Sequence, residues 1–254
     1  SLGFHMNLSP VAEPLNGENE VFLETRSFGS VPETVAFSIV EIAAFKKHGV
    51  APVAKHFPGN AGTDPHTGLP EIELSFNELA KTSLIPFMFV LTSSPDAVLM
   101  SHARVSSVDS GVPSCLSSVW IKDFLKNKFC FKGLVISDDI FMAALEKNGF
   151  PPDKVSVMAL EAGVDVIMLS EKRFSSAARA LLKKAEKDVQ FSKLLHDAEK
   201  RVLAFKIQKG ILCFKTDDKG KLKVITAESV SKKKRLYDFK ASYRQGLDFY
   251  RENF

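Results

Sequence analysis

The chain has 254 residues, 45% of them apolar and 25% charged, with a net charge of +4. This balance excludes a disordered chain and is enough for a substantial core, so one large domain, or one with an appendage, is expected. Cys115, Cys130 and Cys213 are widely spaced and show no CxxC or Cys/His ligand pattern, so neither a disulfide framework nor a zinc site is suggested and reduced thiols are expected; no apolar run reaches the roughly 18 residues of a membrane span.

Five short apolar runs recur along the chain: GFHMNLSPV, GVAPVAKHF, DAVLMSHA, GLVISDDI and GVDVIML. They read as buried parallel strands. Between the first two, Ser30 and Glu33 form a capping-box spacing with Pro32 in the first turn, and Lys46, Lys47 and Gly49 close that helix. Ser75 and Glu78 open the next helix in the same way, and Pro86 is expected to kink or end it. Trp120 to Lys128 and Asp153 to Ala162 supply two more, the latter stopped by Gly163. A longer run from Ser175 to about Gln208 ends at Gly210.

Beyond that point the chain is basic. A turn at Asp217–Gly220, a strand-like KLKVI and an amphipathic helix bearing Phe and Tyr are expected there. Aromatics among basic residues can stack nucleobases, but packing of a terminal helix is the simpler reading, and no nucleic-acid partner is expected. Residues 1–210 are therefore assigned to the α/β body and 211–254 to a basic C-terminal extension. The chain begins SLGFH, with neither Met nor a signal-peptide pattern, so Ser1 is not expected to be the native start.

Strand followed by helix five times over implies βαβ units and a parallel sheet. No GxGxxG or GxxxxGK[ST] follows any strand, so the usual phosphate-binding fingerprints are missing. Polar residues instead gather at the C-terminal ends of the strands: Asn7 and Ser9, Lys55 and His56, Ser101 and His102, Asp138 and Asp139. A (β/α)8 barrel builds its active site in this way. Five units fit either an incomplete barrel or an open five-stranded sheet.

Each of these residues also has a structural reading. Asp138 and Asp139 could cap a helix or sit in a salt bridge, and since two adjacent carboxylates do not both face one ligand, Asp139 is the structural member. Arg26 could pair with Glu20 or Glu24, Lys55 and His56 could be surface groups, and His66 an ordinary loop histidine. His102 fits a pocket wall and a satisfied core position equally well. His5, His48 and His196 receive no role.

As a set, GFHMNLSPV with TRSFG, KHFPG followed by DPH, VLMSHARV, FKGLVISDDIFM and EAGVDVIML resemble the family-3 glycoside hydrolases, particularly their β-N-acetylglucosaminidase branch. The resemblance runs from about Gly3 to Ser170. It implies a TIM-like (β/α)8 barrel, incomplete in this chain, with about five of the eight βα units. It implies Asp138 as the nucleophile, His66 as general acid and base oriented by Asp64, and Arg26, Lys55 and His56 as sugar-binding residues. An imidazole with an ordinary pKa near ~6.5 can give and then take a proton around neutral pH.

The implied activity is that of a retaining exo-β-N-acetylglucosaminidase acting on peptidoglycan-derived muropeptides, in the cytoplasm, with a small carbohydrate as partner and no metal or organic cofactor. Another activity of the family, β-glucoside hydrolysis or phosphorolysis, is the chemical alternative, and a truncated non-catalytic remnant is the other. Two departures stand out. The loop before DPH is two residues shorter than in the family and carries Asn60-Ala61 where the family has a histidine and a glycine. Three upstream βα units, including a D-Q-E-G-G-R-type segment, have no match, so a fragment, a split gene or a sequence lacking its first third is expected.

Overall fold

A computed structural model of the chain describes residues 4–17, 19–60, 62, 68–170, 174–216 and 222–226. Among these, each apolar run supplies one strand of a parallel sheet: β1 (Met6–Asn7), β2 (Ala51–Phe57), β3 (Ala97–Met100), β4 (Leu134–Asp139) and β5 (Val166–Met168). Neighbours in sequence are neighbours in space throughout. A doubly wound open sheet reverses its order at a switch point, whereas a barrel does not.

The strand alternation separates two faces. Ala54, Val98 and Val135 pack on the helices α1 (Val31–Lys47), α2 (Leu84–Thr92), α3 (Val119–Lys128) and α4 (Pro152–Ala162), whose Ile42, Phe87, Trp120 and Val155 complete that core. Val53, Leu99, Leu134 and Ile136 face the opposite way. Two further helices follow, α5 (Phe174–Ala185) and α6 (Val189–Gln208), and Val202 and Phe205 of α6 cover this second face.

Local chemistry sets the helix ends. The Glu33 carboxylate accepts the Ser30 N–H at 2.9 Å and its hydroxyl at 2.8 Å, closing the expected capping box of α1. Gly163 takes φ +111° after α4, a left-handed turn that a side chain resists. In α3 the Phe129 N–H reaches back to the Phe124 carbonyl at 2.8 Å, a π-type turn that keeps Trp120, Ile121 and Leu125 in the core.

Two helix expectations are corrected. The Ser75–Glu78 box caps only a single turn, Phe76–Leu79, and Pro86 lies in the first turn of the separate α2, where its missing N–H costs nothing. The long C-terminal run is two helices. Asp188 caps α6 by accepting the Gln190 and Phe191 N–H groups at 3.0 Å each, which starts a new helix inside a continuing apolar period. KLKVI does form a strand: β6 (Leu212–Thr216) and β7 (Leu222–Thr226) pair antiparallel. The turn at 217–220 and the expected tail helix lie outside the described residues.

Candidate active site

Alternation along β2 and β4 sends Lys55 and Asp138 to the same face as Val53 and Ile136, so two polar groups end apolar columns at the C-terminal edge of the sheet. Lys55 is half-buried. Burial pushes its ammonium below the ordinary lysine value; the Asp138 carboxylate opposes this most strongly, Arg26 adds to it, and Glu13 and Glu41 oppose it. Lys55, Asp138 and Arg26, three of the residues singled out in the sequence, thus share one electrostatic neighbourhood. Arg26 itself is exposed, at the end of the short 3-10 turn Glu24–Arg26.

The adjacent carboxylates separate as two neighbouring strand residues must. Asp138 Oδ1 accepts the Asp139 N–H at 2.8 Å and its side chain stays partly exposed. Asp139 Oδ1 accepts the Phe141 N–H at 3.0 Å and the Ser170 N–H at 3.1 Å, tying together the loops that follow β4 and β5. Asp139 is thereby committed to the scaffold.

Of the two readings open for His102, the structure selects the core. The residue is buried, its Nε2 lies 3.0 Å from the Asp139 carbonyl and its Nδ1 3.3 Å from Cys115 Sγ. Burial pushes the imidazole below its usual value and drives the Cys115 thiol far up, so a neutral ring donates Nε2–H to the carbonyl and faces an intact thiol.

His56 is held from behind. Its Nδ1 lies 2.6 Å from Glu13 Oε1 in a site where Glu13 is 1% exposed, and Asn60 donates to the same carboxylate. The sequence reading missed Glu13 altogether. The available signal was its place: an acid directly after the first apolar run, where other strands present functional groups. Asn7 is exposed, and Ser9 hydrogen-bonds Glu41 of α1.

Asp64 and His66 lie outside the described residues. The segments on either side of them are anchored. Asn60 is buried, and beyond Gly68 the Pro70 carbonyl accepts the Arg104 N–H at 2.9 Å while the Arg104 Nε meets Glu71 at 2.6 Å. Among the described residues no group of three His, Cys, Asp or Glu is arranged to hold a metal ion. Lys55 thus feels both the Asp138 carboxylate and the Arg26 guanidinium, and the His56 ring is fixed through its Nδ1.

Residues 1–205 match the family described as Glycosyl hydrolase family 3 N terminal domain. The chain is 31% identical over 172 residues to the Beta-hexosaminidase of Hydrogenovibrio crunogenus, covering 66% of this chain and 47% of that protein. It is 30% identical over 172 residues to the Beta-hexosaminidase of Methylococcus capsulatus, covering 66% and 51%. The chain therefore spans about half the length of these relatives. Among solved structures, a glycoside hydrolase family 3 beta-N-acetylglucosaminidase from Paenibacillus sp. superposes with a TM-score of 0.76 at 28% identity, over 81% of this chain and 40% of that one. A beta-glucoside phosphorylase shares the fold alone, with a TM-score of 0.74 at 21% identity over 82% and 39%.

Proposed function

The chain belongs to glycosyl hydrolase family 3, and on that premise we propose that it releases terminal β-linked N-acetylglucosamine with retention of configuration. The observation that carries this reading is the placement of Lys55 beside Asp138 on the same face of two strand ends, with Arg26 in the same field.

In the first step an Asp138 carboxylate oxygen forms a bond to the anomeric carbon as the bond to the leaving oxygen breaks, and that oxygen takes a proton from the His66 imidazolium, which becomes neutral imidazole. In the second, water attacks the same carbon, its proton returns to His66, and Asp138 leaves as a carboxylate. Asp64, two residues from His66, accepts the other ring N–H and stabilises the imidazolium. Lys55, His56 and Arg26 hold the hydroxyl and acetamido groups. The natural substrates on this reading are peptidoglycan-derived muropeptides ending in N-acetylglucosamine, processed in the cytoplasm, with residues 1–210 forming the catalytic body and 211–254 an extension of it.

Hydrolysis of an aryl β-N-acetylglucosaminide by the 254-residue chain tests the reading. Turnover that disappears in Asp138→Ala is the expected result; an inactive wild-type chain, or an Asp138→Ala variant with wild-type turnover, overturns it. His66→Ala is expected to slow substrates with poor leaving groups much more than activated ones, and equal losses on both remove His66 from the proton-donor role.

A further inference from the structure

We infer that Glu13 is a positioning residue, whose single buried carboxylate clamps both the His56 imidazole and the Asn60 side chain, four residues before Asp64 in sequence. Its catalytic meaning rests on the glycosidase reading; the clamp itself rests on distances.

Glu13 is 1% exposed, and among the described residues its ion-pair partner is His56. Its Oε1 accepts the His56 backbone N–H at 3.2 Å and faces His56 Nδ1 at 2.6 Å. The Asn60 amide donates to Oε1 at 3.3 Å and to Oε2 at 3.1 Å. An ionised carboxylate only accepts hydrogen bonds, so the ring presents Nδ1–H to Glu13 and keeps Nε2 for a ligand. Gly59, at φ +128°, turns the chain between His56 and Asn60 so that both reach one carboxylate.

The clamp extends to the other strand ends. Asn60 Oδ1 accepts the Ser101 hydroxyl at 2.5 Å, and Ser101 Oγ accepts the Ala103 N–H at 2.8 Å. Between them sits His102, which holds the carbonyl of the residue after Asp138. The Glu13 backbone carbonyl accepts the Ser27 hydroxyl at 2.7 Å, next to Arg26. Desolvating a carboxylate is costly, and an apolar side chain fills a buried space at less cost, so stability alone does not explain an acid at this position. Alignment of the groups that would meet the sugar does.

The test combines nitrogen-15 spectra of the histidine rings, with His56 assigned through His56→Gln, and kinetics on aryl and alkyl β-N-acetylglucosaminides. Wild-type His56 should carry its proton on Nδ1. Glu13→Gln keeps the shape but sets an amide against three donors; it should shift the ring signal and raise KM about 10- to 100-fold, by analogy with the loss seen when the carboxylate behind a metal-bound histidine is removed. Asn60→Ala should leave the His56 signal unchanged and lower kcat on the alkyl substrate more than on the aryl one. A wild-type His56 protonated only on Nε2, or a folded Glu13→Gln with unchanged spectrum and KM, overturns the clamp. An inactive wild-type chain sinks the glycosidase reading, while the spectrum still decides the clamp. Should Glu13→Gln not fold, the wild-type tautomer and the Asn60→Ala spectrum decide it.

Discussion

His102 Nε2 and the Asp139 carbonyl, 3.0 Å apart, bridge the ends of β3 and β4 one peptide beyond Asp138. The bond places a buried, neutral imidazole under the residue on which the proposed chemistry depends.

His102→Phe should therefore cost about 1 kcal/mol, since it removes one of the two donors to the Asp139 carbonyl, which keeps the Met142 N–H at 3.1 Å. A pH series adds a sign. Burial lowers the folded-state pKa of His102, so between its unfolded value near ~6.5 and the lower folded one the unfolded chain binds more protons. Stability attributable to this ring is fully present above about pH 6.5 and declines as pH falls below it. Urea unfolding of wild type and variant across pH 5 to 8 should show a gap that narrows toward the acid end; a gap that widens there means the ring is charged in the fold.

Lys55 offers a contrast between stability and function. Its ammonium is pushed down by burial, so the fold bears a cost for keeping it. Lys55→Met should leave stability unchanged or raise it by up to about 1 kcal/mol, while turnover falls at least about tenfold. Denaturant midpoints and kcat/KM measured on one preparation check both halves.

Much of this frame is legible in the sequence because the signals are local. Five apolar runs give five strands, and the caps at Ser30 and Ser75 depend on residues three apart. The clustering of Lys55 with Asp138 follows from strand parity once the sheet is parallel. Asp188 escapes sequence reading because the apolar period runs through it, and Pro86 reads as the end of the Ser75 helix because a proline that ends one helix and a proline that begins another look alike without the intervening turn. Glu13 was out of reach for a different reason. Its partner His56 lies 43 positions away, and no periodicity encodes which acid meets which histidine across two strands.

Asp165 carries a second long-range junction, on the far side of the sheet from the site. Its side chain is 0% exposed, its Oδ1 meets Arg201 Nε at 2.6 Å and Lys126 Nζ at 3.4 Å, and its Oδ2 accepts the Val135 N–H at 2.9 Å. Removing it takes a partner from two cations and strands a backbone donor, on three elements, although Lys126 keeps the Gly163 carbonyl at 2.6 Å. Asp165→Ala should cost about 3–5 kcal/mol, the range for breaking a buried pair. Arg201→Ala, whose side chain is 42% exposed, should cost about 1 kcal/mol or less. Equal losses in urea unfolding would place the energy in the α6 contact rather than in the carboxylate.

Gly133 marks where β3 and β4 start side by side, and its constraint is space rather than backbone angle. A Cβ there would lie 2.6 Å from the Asp96 carbonyl oxygen and 2.5 Å from Phe131 Cζ. The ring can turn, but the carbonyl is fixed, because it accepts the Leu134 N–H at 3.0 Å as the first rung between the two strands. Gly163 presents the opposite case: φ is +111°, and the nearest neighbour of an added methyl is the Ile121 side chain at 3.1 Å, which can yield. Gly163→Ala should therefore cost about 1–2 kcal/mol, mostly from the left-handed turn. Gly133→Ala must part β3 from β4 at their roots and should exceed that, at about 3 kcal/mol or more. Because Asp138 lies five residues along the same strand, Gly133→Ala should also lower kcat/KM in the fraction that stays folded, whereas Gly163→Ala should leave it unchanged. Paired denaturation and kinetic measurements on the two variants decide whether the strand roots hold the site in register.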